Sequence, residues 1–557
     1  MIPADANISS QILDHLGLVA STVDALGIAK CIDERLPVDK AKGAKVPMGT
    51  RVSAMILNGL GFVTRKLYMF PGFLHNKPVE RLLGPGLEAQ DFNDDALGRC
   101  LDAIYEYGVM KLFSELAFEI GTTLNLLGRS THMDTTTLSV YGEYEEEETS
   151  TQVAGKEKDL PSPAFGYPKN GRFDLKQMVL LLATTGPSGF PVWMQACSGN
   201  VSDKVSLHEA ARRMKAFYQE LKKAPDLLFV ADSAAYDSCV NKAQTFLWLS
   251  RVPETHTLAK EWLSQEEGKI AWKTLENGYK ICVKNATYKD VEQRWALVYS
   301  EQAFDREIKT LEKNITQEYE SLTKALEGLK GHTFGCEKDA REALHQITKR
   351  MKYHRVEHVT CHDILKHKGR GRPKKDTEKK VCGVRIEATA VTDDGRIEAK
   401  RRQKGRFILA TNQMDSTALK DEEVLWEYKD QSKTESGFRF IKDNEFRVGT
   451  VFLKKPERIN ALMMIMTLCL MVYNVAQYRL RESLKQNGET VPNQLKKPIQ
   501  NPTMAWICEM FQGVSVVLIE RGGMVREIVA NLNAVLRQII GHFGPQAAKI
   551  YGINLSG

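Results

Sequence analysis

The stretch DLLFVAD, residues 226–232, constrains the fold more than any other part of the chain. Its apolar residues run without a polar break, as in a strand that is buried on both faces. Its surroundings extend the reading. HMDTTTLSV is rich in Thr, Ser and Val, as strands are. FDLKQMVLLLATT and PVWMQACSGN, joined by the turn residues GPSGF, read as a hairpin. DKVSLHEAARRMKAFYQEL reads as an amphipathic helix capped by Ser202 or Asp203. SCVNKAQTFLWL is expected to be the next helix. Strands, helix, buried strand and helix in this order imply an α/β layer with a mixed sheet.

The rest of the chain groups around that layer. Residues 1–125 read as helical, with amphipathic runs such as ISSQILDHLGL and NDDALGRCLDAIYEYGVMKLFSELAFEI, the latter capped by Asn93 or Asp94. Residues 126–260 form the first part of the α/β core, and 261–412 read as an insertion. In the insertion, GYKICVKNATYKD, RWALVYS, RVEHVTCHDIL, VCGVRIEATAVTDDGR and GRFILATNQ are strand-like. From Phe304 the apolar positions Ile308, Leu311, Ile315, Leu322, Leu326 and Leu329 mark a long helix with a coiled-coil-like seam. The seam needs a cover, either the next helix (about 337–352) or the same helix of a second subunit. Residues 413–485 return to the core, and 486–557 are expected to be helical.

Composition removes several classes. The longest apolar run, INALMMIMTLCLMVY, is shorter than a bilayer span requires and reads as a buried core helix. MIPADANISS lacks the basic start and apolar run of a secretory signal. The ten cysteines contain no C-x-x-C pair, which fits a reducing cytoplasm better than a disulfide framework. Net charge is +7, but residues 366–406 hold fifteen Lys or Arg against six Asp or Glu. One strongly basic segment in an otherwise balanced chain points to a polyanion, most simply nucleic acid.

Two aspartates stand out as candidate ligands. Asp232 closes the buried run, at the carboxyl end of a strand, where open α/β sheets place their ligand crevices. Asp134 lies within HMDTTTLSV, and a charge in a strand core must be exposed, paired or metal-bound. A third carboxylate comes from YKDQSKTESGFRFIK, in which Tyr428, Glu435 and Lys442 recur every seven residues and so share one face of a helix. Three convergent carboxylates suit Mg2+, for which Mn2+ can substitute. Two such ions can activate a nucleophile and stabilise the leaving oxygen of a phosphodiester.

The spacing Tyr428, Gln431, Glu435, Lys442 resembles the Y-x2-R-x3-E-x6-K signature of bacterial insertion-sequence transposases of the DDE class. Phe438, Arg439 and LKKPERINALMMIMTLCLMVY continue the match. HMDTTTLSVYGEYE and LLFVADSAAY are similar to the family's first and second aspartate motifs. The resemblance implies a ribonuclease H-like catalytic core with an inserted subdomain, a helical N-terminal domain and a helical C-terminal region. It implies Asp134, Asp232 and Glu435 as catalytic metal ligands, and Tyr428, Gln431, Lys433, Arg439 and Lys442 as DNA contacts. The signature's arginine is Gln431 here, which gives up the charge-assisted fork to a phosphate; Lys433 or Arg439 can compensate.

Within the basic segment, KGRGRPKK contains Arg370-Gly371-Arg372-Pro373, which resembles an AT-hook core that enters a narrow A·T-rich minor groove. Lys374, Lys375, Arg401 and Arg402 are further candidate DNA contacts. His354, His358, Cys361, His362 and His367 invite a zinc reading, but no second ligand pair accompanies them and the alternation suits a strand. Trp262, Trp272 and Trp295 fall in the insertion, where related transposases hold a flipped base on an aromatic residue; core packing is the plainer role for each. The expectation is a cytoplasmic, nucleoid-associated bacterial protein that binds double-stranded DNA, both element ends and target. It is expected to work as a homodimer, because an element has two ends, and to have no membrane partner. Two other classes remain open: a transposase-derived DNA-binding protein without activity, and a metal-dependent nuclease.

Overall fold

The structure, a computed structural model, describes residues 7–38, 45–61, 70–140, 161–166, 172–201, 203–220, 227–241, 246–367, 379–431 and 455–554. The chain forms two compact units, Met1–Ser250 together with Trp426–Gly557, and Arg251–Leu425.

Strand β1 (Asn7–Ile12) opens the first unit. Helices α1 (Leu16–Leu26), α2 (Ile28–Arg35), α3 (Met48–Gly59), α4 (Phe70–Leu74), α5 (Val79–Leu83), α6 (Asp94–Tyr107) and α7 (Val109–Thr123) follow. ISSQILDHLGL is therefore not wholly helical. β1 pairs with the C-terminal strand Ser515–Arg521, Ile8 opposite Ile519, and helix begins only after Asp14 turns the chain with φ 44°. Asn93 caps α6, its side chain accepting from the Ala96 amide at 2.9 Å. Gly108, at φ 103°, breaks the long amphipathic run into α6 and α7.

The α/β layer follows, with strands β2 (Ser130–Ser139), β3 (Gln177–Thr185) and β4 (Phe190–Ser198), helix α8 (Asp203–Glu220), strand β5 (Leu228–Ala231), helix α9 (Tyr236–Asn241) and strand β6 (Leu247–Arg251). Spatial order is β4-β3-β2-β5-β6. The first three strands are antiparallel, while β2–β5 and β5–β6 are parallel. All four residues of β5 are buried, as the unbroken apolar run requires. The β3–β4 turn needs glycine: Gly186 has φ 67°, and a Cβ there would lie 2.4 Å from the Leu126 carbonyl oxygen. The end of SCVNKAQTFLWL is a strand and not a helix. Trp248 and Leu249 are fully buried in β6, and pairing with β5 outweighs the helical pattern of the segment.

The apolar helix Pro456–Asn487 is long and apolar enough to cross a membrane, yet 83% of its most apolar stretch is buried inside the protein. It packs on α1, α3, α6, α7 and β4, as a core helix does. Arg458 holds its first turn by a two-pronged ion pair to Asp102, 2.7 Å on each prong. The region read as helical beyond it contains a hairpin, Ser515–Arg521 with Met524–Ala530, turned by Gly522 and Gly523 at φ 58° and 80°. Two consecutive positive φ angles favour the right-handed twist of a two-residue hairpin, and glycine adopts both.

The second unit carries an antiparallel sheet of β7 (Lys273–Thr274), β8 (Tyr279–Tyr288), β9 (Val291–Ser300) and β12 (Arg406–Thr411), in the order β12-β9-β8-β7. Arg294 on β9 is buried and fully employed: it donates to the Leu419 carbonyl at 2.9 Å and to Asp421 at 2.8 Å. Between β9 and β12 lie α11 (Glu301–Gly331), α12 (Glu337–Thr348), a two-stranded ribbon of β10 (His354–His367) and β11 (Lys379–Thr392), and α13 (Asp394–Arg402). Helix α10 (Thr257–Leu263) precedes the sheet and α14 (Asp421–Lys429) follows it.

The seam of α11 is covered within the chain. Leu322 and Leu326 pack with Ala340 and Leu344 of α12 and with Ile386 of β11, so the ribbon shares the task expected of the next helix alone. Glu318 locks the ribbon's base, accepting from the amides of Lys352 at 2.9 Å, Tyr353 at 2.7 Å and His354 at 3.1 Å. Leu322→Ala, at a site with no exposure, is expected to cost about 2–5 kcal/mol in denaturant unfolding. A loss below about 1 kcal/mol would mean that the seam does not hold this core.

Candidate active site

Asp134 and Asp232 are brought together by strand register. In the parallel β2–β5 pair, Ser130 faces Leu228, Thr131 faces Phe229 and His132 faces Val230. Two residues further along each strand stand Asp134 and Asp232. Neighbouring strands lie about 4.8 Å apart, and residues at one level of a parallel pair point to one side. The two carboxylates thus share one face at the carboxyl end of β5.

Each is anchored locally. Asp134 is half-buried, and its Oδ1 accepts from the Thr135 amide at 2.7 Å. On its other flank, across the antiparallel β3, stands the buried Leu182. Asp232 is exposed and caps the short 3-10 turn Ser233–Ala235, accepting from the Ala234 amide at 3.0 Å. Its backbone carbonyl is held by the Ser250 hydroxyl of β6 at 2.7 Å. Like charges on neighbouring strands destabilise a sheet unless a counter-charge joins them. Two carboxylates at one level are an oxygen donor set for a hard divalent cation. Burial, and then the charge of Asp232, pushes the Cys239 thiol up to about 12.

The third expected carboxylate, Glu435, lies outside the described residues, together with Lys433, Arg439 and Lys442. Arg370, Arg372, Lys374 and Lys375 lie outside them too. Among the described residues no group of three or more His, Cys, Asp or Glu could hold a metal, and that includes the histidines of β10. Of the signature residues that are described, Tyr428 is half-buried in the last turn of α14 and Gln431 is 7% exposed. The same turn is tied to the start of β2, because Arg129 Nε donates to Glu427 at 2.6 Å.

The remaining candidates belong to the second unit. Arg401 is exposed at the end of α13, and Arg402 pairs with Glu398 at 3.6 Å and Glu266 at 3.8 Å. Trp262 and Trp295 are buried and stacked with centroids 6.4 Å apart, which is core packing, while Trp272 is half-buried. Sequence reasoning missed Ser250. Its only signal is a lone polar residue closing the apolar run TFLWL.

A family model described as a domain of unknown function (DUF4277) matches residues 8–118, a segment that contains neither aspartate. No curated protein matches the chain. Among solved structures, the piggyBac transposase synaptic complex with hairpin DNA is similar, at 10% identity and a TM-score of 0.32, over 95% of this chain and 85% of that one. A likeness of that size fixes neither fold nor activity.

The double duty of Asp232 is testable. Asp232→Asn keeps an oxygen for the cap and removes the repulsion from Asp134, so its unfolding midpoint without metal should equal or exceed that of wild type. Asp232→Ala loses the cap as well, at about 1 kcal/mol or less. Mg2+ should raise the midpoint of the wild type and of neither variant. A full Mg2+-dependent rise in Asp232→Asn would contradict the assignment.

Proposed function

We propose that the chain is a DDE transposase that cuts the ends of a mobile element and joins the 3′-hydroxyls to target DNA. The reading is supported by the parallel β2–β5 register, which is paired up to His132 and Val230, two residues short of Asp134 and Asp232, and by Glu435 at the family's spacing in the sequence. The mixed sheet is compatible with the ribonuclease H-like core that the resemblance implies.

Asp134, Asp232 and Glu435 would hold Mg2+ or Mn2+. When bound, two such ions lower the pKa of an attacking water or hydroxyl and stabilise the leaving oxygen. The chain's own groups set the geometry. Ser250 and the Ala234 amide fix Asp232. The buried Leu182 flanks Asp134 on the side away from β5. Tyr428, Gln431, Lys433, Arg439 and Lys442 are assigned to the DNA backbone. Gln431 is 7% exposed here, so its neutral amide could donate to a phosphate oxygen only once it is uncovered.

The helical region 1–125 is assigned to the terminal inverted repeats, since a catalytic core must accept any target sequence. Two ends require at least a dimer in the working complex. Arg370, Arg372, Lys374, Lys375, Arg401 and Arg402 are assigned to duplex contacts outside the catalytic core.

Incubating the protein with end-containing duplex, Mg2+ and a supercoiled target tests the proposal. Joined product is expected. Cutting without joining would indicate a nuclease, and binding alone an inactive descendant. Asp134→Ala, Asp232→Ala and Glu435→Ala should each reduce cleavage to background while changing end affinity no more than about two-fold, because affinity rests on phosphate contacts elsewhere. A variant that cleaves at the wild-type rate removes that residue from the catalytic set.

A further inference from the structure

The β10–β11 ribbon is covered over only part of its length. Val356, Cys361, Ile386, Ala388 and Ala390 pack in the α11–α12 core, and the cover ends where Phe334 bridges to Val384. Beyond that bridge the two strands continue as Asp363–His367 and Lys379–Cys382, and most of these residues are exposed. Five residues of strand span about 17 Å. A register shift between Ile364 and Leu365 leaves Cys382 without an opposite residue, and such a bulge tightens the ribbon's twist.

The charges on this exposed stretch are arranged in a way that folding does not favour. Lys366 stands directly opposite Lys380, and His367 opposite Lys379. Successive pairs point to opposite faces, so cations emerge on both faces within one step of the strand. Closer to the helices, Arg385 faces His362 on the same face as Lys366 and Lys380. Directly opposed like charges destabilise an antiparallel pair. Among the described residues no ion pair holds Lys366, Lys379, Lys380 or Arg385, although carboxylates neutralise many other cations of this unit. The paired lysines make sense with an external anion.

We infer that the exposed stretch of the ribbon, Asp363–His367 with Lys379–Cys382, lies in the major groove of duplex DNA, with Lys366 and Lys380 reaching one phosphate wall and Lys379 the other. The inference rests on the reading of the chain as a protein that acts on duplex DNA. A two-stranded ribbon fits the major groove, about 12 Å wide, whereas the minor groove, about 6 Å wide, excludes it. Charge on both faces is what two flanking phosphate walls require. A single flat anionic surface would need it on one face only.

The test uses the full chain with Lys366, Lys379 and Lys380 all changed to Gln. Removing opposed like charges should leave the unfolding midpoint unchanged or raise it, so a loss of binding will not be a loss of fold. The slope of log affinity against log salt on duplex DNA should fall by about 2.7, about 0.9 for each lost phosphate contact. A control with Lys309, Lys313 and Lys324 changed to Gln, exposed residues of α11, removes the same charge and should leave the slope as in wild type. If wild type and control bind and cleave duplex normally while the ribbon variant keeps the full slope, the ribbon inference is overturned and the transposase reading stands. An equal fall on single-stranded DNA overturns groove entry. Wild type that binds no duplex at all overturns the reading beneath it.

Discussion

The parallel register between β2 and β5 is the constraint on which the site depends. It is not set by alternation, because β5 is buried on both faces and a one-residue slip would expose no apolar side chain. The charge at the strand's end sets it. A slip would draw Asp232 into the place of Ala231, which is 7% exposed, and burying an unpaired carboxylate costs several kcal/mol. The amide of Ala234 and the hydroxyl of Ser250 reinforce that stop from either side of the strand end. The same charged residue that limits the strand is thereby delivered to the level of Asp134.

Around this register the first unit is assembled by burial. The Pro456–Asn487 helix is enclosed for most of its apolar length, and its neighbours come from both ends of the chain. β1 and Ser515–Arg521 close the unit by pairing the N-terminal region with the C-terminal one. The second unit is stabilised on its own terms, by the seam of α11, the buried Arg294 and the Glu318 lock. In its ribbon a local rule of strand pairing is broken, Lys366 opposite Lys380, with no ion pair to relieve it among the described residues. Such violations mark function more often than poor packing.

Much of this was legible in the sequence. DLLFVAD, the β3–β4 hairpin, the α11 seam and the strands of the ribbon each carry a period or composition that belongs to one kind of element. Two of the misses share a cause. β1 and β6 are short segments whose strand state comes from partners outside the segment, Leu518 for Ser9 and Phe229 for Trp248, whereas the C-terminal hairpin is local and its signal is the Gly522-Gly523 turn. Helical spacing in ISSQILDHLGL and SCVNKAQTFLWL is real, but pairing energy overrides it. In the candidate site, Asp134 and Asp232 were legible as candidates because a carboxylate at the edge of a buried strand is conspicuous. Ser250 could not, since a hydroxyl at a strand end has many uses and only the fold aims it at the Asp232 carbonyl.

The proposed function requires Asp134, Asp232 and Glu435 to form one metal centre. Anomalous diffraction from crystals grown with Mn2+ and a short end-containing duplex tests it most directly. A manganese peak is expected within coordination distance, about 2.0–2.6 Å, of a carboxylate oxygen from both Asp134 and Asp232, with Glu435 completing the set. Manganese bound elsewhere, or Glu435 directed away from the two aspartates in the DNA complex, would contradict it.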